Sequence, residues 1–242
     1  MTAKALYERN RPNRLDDLVG KAQKSGKALL SMALPRRHLA AMIFGPSGVG
    51  KSTLASILGA ELAGSPMDVH TYNLGSMRGV DFVRDLESNI LLATWGSGWR
   101  VYVFEEAHNL TPQAQEAMLR LTEHYPLNRA LIFTSTDRDA FTPAFRSRLL
   151  QVNLVPLSKE DLSAMLRKAA KSEGIKLSAS SLSAIIDASQ GNARAALNAL
   201  EWFAASGELP EKPAVLESVA SVGSLAAVKA WETRRRNFKV AG

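Results

Sequence analysis

Ile43-Phe44-Gly45-Pro46-Ser47-Gly48-Val49-Gly50-Lys51-Ser52 runs from an apolar segment into the pattern Gly-x-x-x-x-Gly-Lys-Ser. Met42 to Phe44 is apolar before the glycines, and Thr53-Leu54-Ala55-Ser56-Ile57-Leu58 continues at helical spacing after them. A strand, a glycine loop and a helix N-terminus in that order make a cradle of backbone amides for phosphate groups. Gly45, Pro46, Ser47, Gly48, Val49 and Gly50 are assigned to the cradle. Lys51 neutralises the terminal phosphate charge, and Ser52, followed by Thr53, supplies a hydroxyl to the shell of a magnesium ion. The chain is therefore expected to hold a nucleoside triphosphate.

Downstream, apolar segments alternate with helical patterns: Val69 to Leu74, Val80 to Ala93, Val101 to Phe104, Pro112 to His124, and Ala130 to Thr134. That alternation predicts an α/β fold, a five-stranded parallel sheet with helices on both faces and ligands at the carboxyl ends of its strands. Val101-Tyr102-Val103-Phe104 and Leu131-Ile132-Phe133 are continuously apolar, as strands buried on both faces must be. Val101 to Phe104 ends in Glu105-Glu106. One carboxylate, Glu105, is placed on the water shell of the metal ion, and the next, Glu106, where it polarises the attacking water.

The character changes near Val155-Pro156-Leu157. Ser158-Lys159-Glu160-Asp161 resembles a capping box, and Leu162 to Lys171, Ala179 to Ser189 and Ala193 to Ala205 read as three helices divided by Gly174 and Gly191 and closed by Gly207. The expected organisation is a nucleotide-binding domain over 1–155, a three-helix lid over 156–207 and a short helical tail over 208–242, with helices near Val215 to Val222 and Leu225 to Arg236.

The bulk properties narrow the class. With 242 residues, 46% of them hydrophobic, the chain can form a large core and a smaller one. No apolar run approaches a membrane span, and the N-terminus lacks a signal-peptide core, so no membrane contact and a cytoplasmic location are expected. The lack of cysteine excludes thiol nucleophiles and cysteine-ligated zinc, and four scattered histidines have no metal-ligand spacing. A net charge of +7 suits a polyanionic partner or a solvated basic face.

Taken together, the motifs resemble those of AAA+ ATPases, and among them the small subunits of sliding-clamp loaders of the replication factor C and phage type. The resemblance extends from about Tyr7 to Ala205. Tyr7-Glu8-Arg9-Asn10-Arg11-Pro12 with Leu15-Asp16-Asp17-Leu18-Val19-Gly20 is similar to the N-terminal motif that packs beside adenine in that family, which implies this role for Arg11, Pro12, Val19 and Gly20. Gln115 to Glu123 resembles a helix at a subunit seam. Leu131 to Thr136 resembles the sensor 1 strand, with Thr136 as its polar residue. Arg146-Ser147-Arg148 implies that Arg148 is an arginine finger acting in trans. Gly191-Asn192-Ala193-Arg194-Ala195-Ala196-Leu197-Asn198 resembles sensor 2, making Arg194 the lid residue that reads phosphate.

The resemblance implies ATP and Mg2+ as cofactors, neighbouring subunits in a ring-like oligomer, a sliding clamp, and primer-template DNA. Arg78 and Arg84 are the DNA candidates, with a salt-bridged surface helix as the other reading. The departures are Glu105 for the usual aspartate, Thr136 for asparagine, Leu149 for the cysteine after the arginine finger, and a tail shorter than a collar domain. A nucleotide-binding scaffold with little hydrolysis, or another AAA+ motor of DNA metabolism, is the alternative function. Trp95-Gly96-Ser97-Gly98-Trp99 reads as a glycine turn between core aromatics and is assigned no role.

Overall fold

Strands flanked by neighbours on both sides must be apolar on both faces, and the three central strands of this protein are. The computed structural model describes residues 4–75, 79–95, 98–123 and 125–209. In chain order the elements are α1 (Leu6–Arg9), α2 (Gly20–Arg36), β1 (His38–Phe44), α3 (Lys51–Leu62), β2 (Val69–Asn73), α4 (Val80–Ile90), β3 (Arg100–Glu105) and α5 (Pro112–Glu123). There follow β4 (Arg129–Ser135), α6 (Pro143–Arg148), β5 (Leu150–Asn153), α7 (Lys159–Glu173), α8 (Ala179–Ser189) and α9 (Ala193–Ser206). The strands form one sheet in the order β2-β3-β4-β1-β5, and every pairing is parallel.

Alternate residues divide the core into two layers. Leu39, Ala41, Ile43, Val101, Val103, Ala130 and Ile132 face one way and pack with α2 and α3. Met42, Phe44, Tyr102, Phe104, Leu131 and Phe133 face the other way and pack with α4, α5 and α6. Phe104 and Phe133 stack with ring centroids 4.7 Å apart in the second layer. Both faces of the sheet are thus covered, as the apolar runs predict.

α2 had no counterpart among the expected elements. Its sequence carries two glycines, three lysines and Pro35, which mask its apolar stripe of Ala22, Gly26, Leu29 and Ala33. Gly26 is required by close packing: a Cβ there would lie 2.5 Å from Leu15 Cδ2 and 2.9 Å from Leu54 Cδ1. α1, α6 and β5 likewise had no expected counterpart, and the remaining elements fall within a few residues of the predicted ones.

The chain divides into two compact units, one spanning Pro12–Val155 and the other joining the N-terminal residues through Arg11 to those from Pro156 onward. The change of unit at Val155 and Pro156 coincides with the sequence boundary, but the first residues do not group with the sheet as expected. Leu6 is fully buried among Leu162, Leu166, Ile185 and Leu200 of the helical unit. Arg9 fixes the segment by donating from Nε and Nη2 to the two carboxylate oxygens of Glu173, at 3.2 and 3.0 Å. Asn10 also donates to Glu173, and the Leu6 amide donates to Glu201 Oε1 at 3.0 Å.

The lid helices start where the sequence places them. Ser158, Ser178 and Asn192 accept from the amides of Asp161, Ser181 and Ala195, capping α7, α8 and α9. The tail helices expected between Val215 and Arg236 lie outside the described residues. No helix among the described residues is long and apolar enough to cross a membrane.

Since Leu6 contributes a complete side chain to the helical core, Leu6→Ala is expected to destabilise that unit by about 3 kcal/mol. Urea unfolding measures this, and unchanged stability contradicts the grouping of the N-terminal segment with the lid.

Candidate nucleotide-binding site

Backbone geometry explains each glycine of the loop after β1. Gly45 has φ of 153°, and a Cβ there would lie 2.7 Å from the Leu154 carbonyl oxygen. Its amide donates to the Ser135 carbonyl at 3.3 Å, joining the loop to the end of β4. Gly48 and Gly50 have φ of 76° and 97°, a region that side chains disfavour. A Cβ on Gly50 would meet nothing within 4 Å, so its conformation rather than crowding requires glycine. Val49 anchors the loop by burying its side chain in the α2/α3 layer.

α3 then begins at Lys51 with no side-chain cap and no acid in its first turn. The capped lid helices show how this chain closes a helix N-terminus elsewhere; here no side chain caps it, an arrangement that suits an anion. Lys51 is only 7% exposed, and its Nζ donates to the Pro46 carbonyl at 2.9 Å, so the ammonium group lies inside the loop. Ser52 and Thr53 occupy the next two positions, half-buried. This donor set fits a polyphosphate.

The parallel register brings the other expected groups to the same end of the sheet. Phe44 pairs with Ser135, and Phe104 with Phe133, so Glu105, Glu106 and Thr136 emerge beside the loop strand's end. Glu105 closes β3 and is partly buried. Glu106 adopts φ of 55°, and its carbonyl accepts from the Asn109 amide and side chain, both at 3.0 Å. Its carboxylate lies 3.5 Å from His108 Nε2, while His108 Nδ1 lies 3.5 Å from Ser135 Oγ. His108 and Ser135 were not singled out from sequence, although both flank residues that were. Thr136 is exposed one residue beyond β4.

Gln115, read from sequence only as the start of the seam helix, has a further part in the site. It is buried in α5, donates to the carbonyls of Leu110 and Ala140 at 3.2 and 2.9 Å, and accepts from the Thr142 amide at 3.0 Å. Thr142 in turn caps α6. Gln115 thereby ties the turn after the acid pair to the helix carrying Arg148. The Arg148 side chain is 53% exposed and donates from Nε to Glu123 Oε1 at 2.7 Å. It lies on the surface, outside its own core.

The remaining candidates are more dispersed. Arg194, the second residue of α9, belongs to the helical unit and places its guanidinium carbon 5.7 Å from the Tyr7 ring centroid. Arg11 belongs to that unit as well, whereas Pro12, Val19 and Gly20 belong to the sheet unit, where Gly20 opens α2 with φ of 63°. Arg84 pairs with Asp81 at 3.0 Å on the solvent side of α4, and Arg78 lies outside the described residues. Among the described residues no group of three His, Asp or Glu forms a self-contained metal site.

At the opposite end of the sheet, two buried arginines shape the α4–β3 connection. Arg129 donates to the carbonyls of Ile90 and Leu92 at 2.9 and 2.7 Å, and Arg100 to that of Ala93 at 2.9 Å. Asp68, fully buried, accepts from the Trp95 amide at 3.0 Å. The segment so held exposes Leu91, Leu92 and Trp95, and Leu127 is exposed just before β4. Trp99 is 7% exposed and lies in the core as expected, but Trp95, in the connection between α4 and β3, is 75% exposed.

His70 accepts from Arg100 Nε through its Nε2, at 3.1 Å. Burial, reinforced by the Arg100 charge and opposed by Asp68, holds its pKa below the ordinary histidine value. The unfolded chain therefore takes up this proton more readily than the folded one. His70 contributes stability that is present above about pH 6.5 and lost as pH falls through the lower folded value. Urea unfolding between pH 7.5 and 5 is expected to show this decline, with a shallower slope in His70→Gln; an equal slope contradicts it.

A parallel sheet with a phosphate loop after β1, an acid pair after β3 and a helical lid defines the AAA+ class of P-loop modules. Solved structures agree on the fold: the Thermotoga maritima RuvB Holliday junction branch migration motor superposes with a TM-score of 0.65, at 21% identity, over 79% of this chain and 64% of that one. The family described as DNA polymerase III, delta subunit, matches residues 63–158, and the RCF1/5-like AAA+ ATPase lid domain matches residues 164–205.

Among curated relatives, a replication factor C small subunit of Haloarcula marismortui is 31% identical over 86% of this chain, which spans 65% of that protein's length. Replication factor C small subunit 2 of Pyrobaculum arsenaticum is 30% identical over 89% of this chain and 68% of its own length. The chain belongs to the replication factor C small-subunit family of clamp-loader AAA+ proteins.

Proposed function

We propose that the protein is an ATPase subunit of a sliding-clamp loader, using ATP binding and hydrolysis to place a ring clamp on primed DNA. The observation carrying this reading is the division of the chemistry: the phosphate loop and acid pair share one end of the sheet, while Arg148 stands on the surface of the same unit. A surface guanidinium outside its own core is suited to completing a neighbour's site.

Lys51, the loop amides and the first turn of α3 hold the phosphates. Ser52 and Glu105 would hold a magnesium ion, which would offset the charge of the phosphates. Glu106 orients and polarises the attacking water, Thr136 contacts the water or terminal phosphate, and Arg194 reads the phosphate from the lid. Arg11, Pro12, Val19 and Gly20 flank the base. Gln115 transmits the state of the acid turn to α6, and so to Arg148.

The partners follow from this assignment. Leu91, Leu92, Trp95 and Leu127 offer the clamp an apolar rim at the end of the sheet away from ATP. Arg84 remains the described candidate for a DNA phosphate contact, since an exposed pair such as Arg84–Asp81 contributes little and exchanges readily.

Glu106→Gln is expected to leave ATP binding intact and reduce turnover in the assembly by about 100-fold or more. Arg148→Ala is expected to reduce turnover in the assembly without weakening ATP binding to the isolated chain. Mixing the two variants with their partner subunits restores part of the activity, because each supplies the residue that the other lacks. Turnover unaffected by either substitution points instead to a nucleotide-binding scaffold.

A further inference from the structure

The chain passes between its two units at Arg11–Pro12 and Val155–Pro156, and on the helical side both links are fastened beside one side chain, Arg194. After the second link, the Leu157 amide donates to the Gly191 carbonyl at 2.8 Å. Gly191 has φ of 83°, and a Cβ on it would lie 2.4 Å from Pro156 Cβ, so this turn is pressed directly onto the link. Arg194 follows three residues later.

Before the first link, the α1 segment is anchored by buried Leu6, by the Arg9–Glu173 fork and by the Leu6 amide on Glu201. Between these anchors the Tyr7 ring lies 5.7 Å from the Arg194 guanidinium carbon, and the Tyr7 hydroxyl donates to Glu8 Oε1 at 3.2 Å. The ring is thus fixed to the lid from below and oriented by its own neighbour.

We propose that Tyr7 is a positioning residue for Arg194, its ring holding the guanidinium ready for the terminal phosphate. The inference rests on the reading of Arg194 as the phosphate-sensing arginine of the lid. An exposed arginine otherwise samples many rotamers, and ordering it on binding costs affinity. A ring beneath it removes part of that cost beforehand. The same contact makes the N-terminal segment a backstop for the sensing arm.

The test uses the full chain with magnesium and fluorescent analogues of ATP and ADP. Tyr7→Phe keeps the ring and is expected to bind both within twofold of wild type. Tyr7→Leu is expected to weaken the triphosphate about two- to fivefold and leave the diphosphate unchanged. In an Arg194→Gln background, Tyr7→Leu should have no further effect.

Equal weakening of both nucleotides by Tyr7→Leu overturns the proposal in favour of a base or folding contact, as does a persistent effect in the Arg194→Gln background. If Arg194→Gln alone leaves both affinities unchanged, the sensing role itself fails, a result visible without any Tyr7 variant. Wild-type protein supplies a readout free of folding effects. The Tyr7 ring current should shift the Arg194 side-chain protons upfield, and unshifted resonances overturn the contact.

Discussion

The nucleotide site depends on a single local constraint: an ammonium group is buried inside a glycine loop whose helix begins uncapped. Lys51 enters the loop because Val49 is anchored in the core and Gly50 takes a conformation that side chains disfavour. Its charge is met by the Pro46 carbonyl, a neutral acceptor weaker than phosphate oxygens. Gly45 ties the loop to β4 and presses it against Leu154 beyond β5. The sheet therefore aims the loop, and its register brings Glu105 and Glu106 to the same end.

From that end, a chain of contacts leads outward to Arg148. The Glu106 turn is held by Asn109, Gln115 bonds to Leu110 a few residues later, and Gln115 also holds the loop from which α6 starts. A displacement at the acid pair has a short, hydrogen-bonded route to a surface arginine. The opposite rim is built on the same principle, with Arg100 and Arg129 spending their donors on the backbone of a segment that exposes apolar side chains. Buried polar groups thus fix both ends of the sheet.

Much of this was legible in the sequence, for physical reasons. Continuous apolar runs reveal doubly covered strands, so β3 and β4 were recognisable from Val101 to Phe104 and from Leu131 to Phe133. Ser158 and the glycines at 174, 191 and 207 marked the lid helices, because caps act locally. What escaped depended on distant partners. α2 was assigned no element, because Leu15 and Leu54, which supply the surface onto which Gly26 packs, lie outside its own pattern. Leu6 belongs with residues more than 150 positions away, which no local pattern shows. Gln115, His108 and the exposed position of Trp95 likewise acquire meaning only from contacts across the fold.

The central claim is that Lys51 and the uncapped start of α3 grip the phosphates of ATP. Titrating wild-type protein and Lys51→Met with a fluorescent ATP analogue and magnesium tests it most directly. Loss of a buried, charge-assisted contact is expected to weaken binding about tenfold or more while thermal stability is retained. Equal affinity for the two proteins would contradict the account.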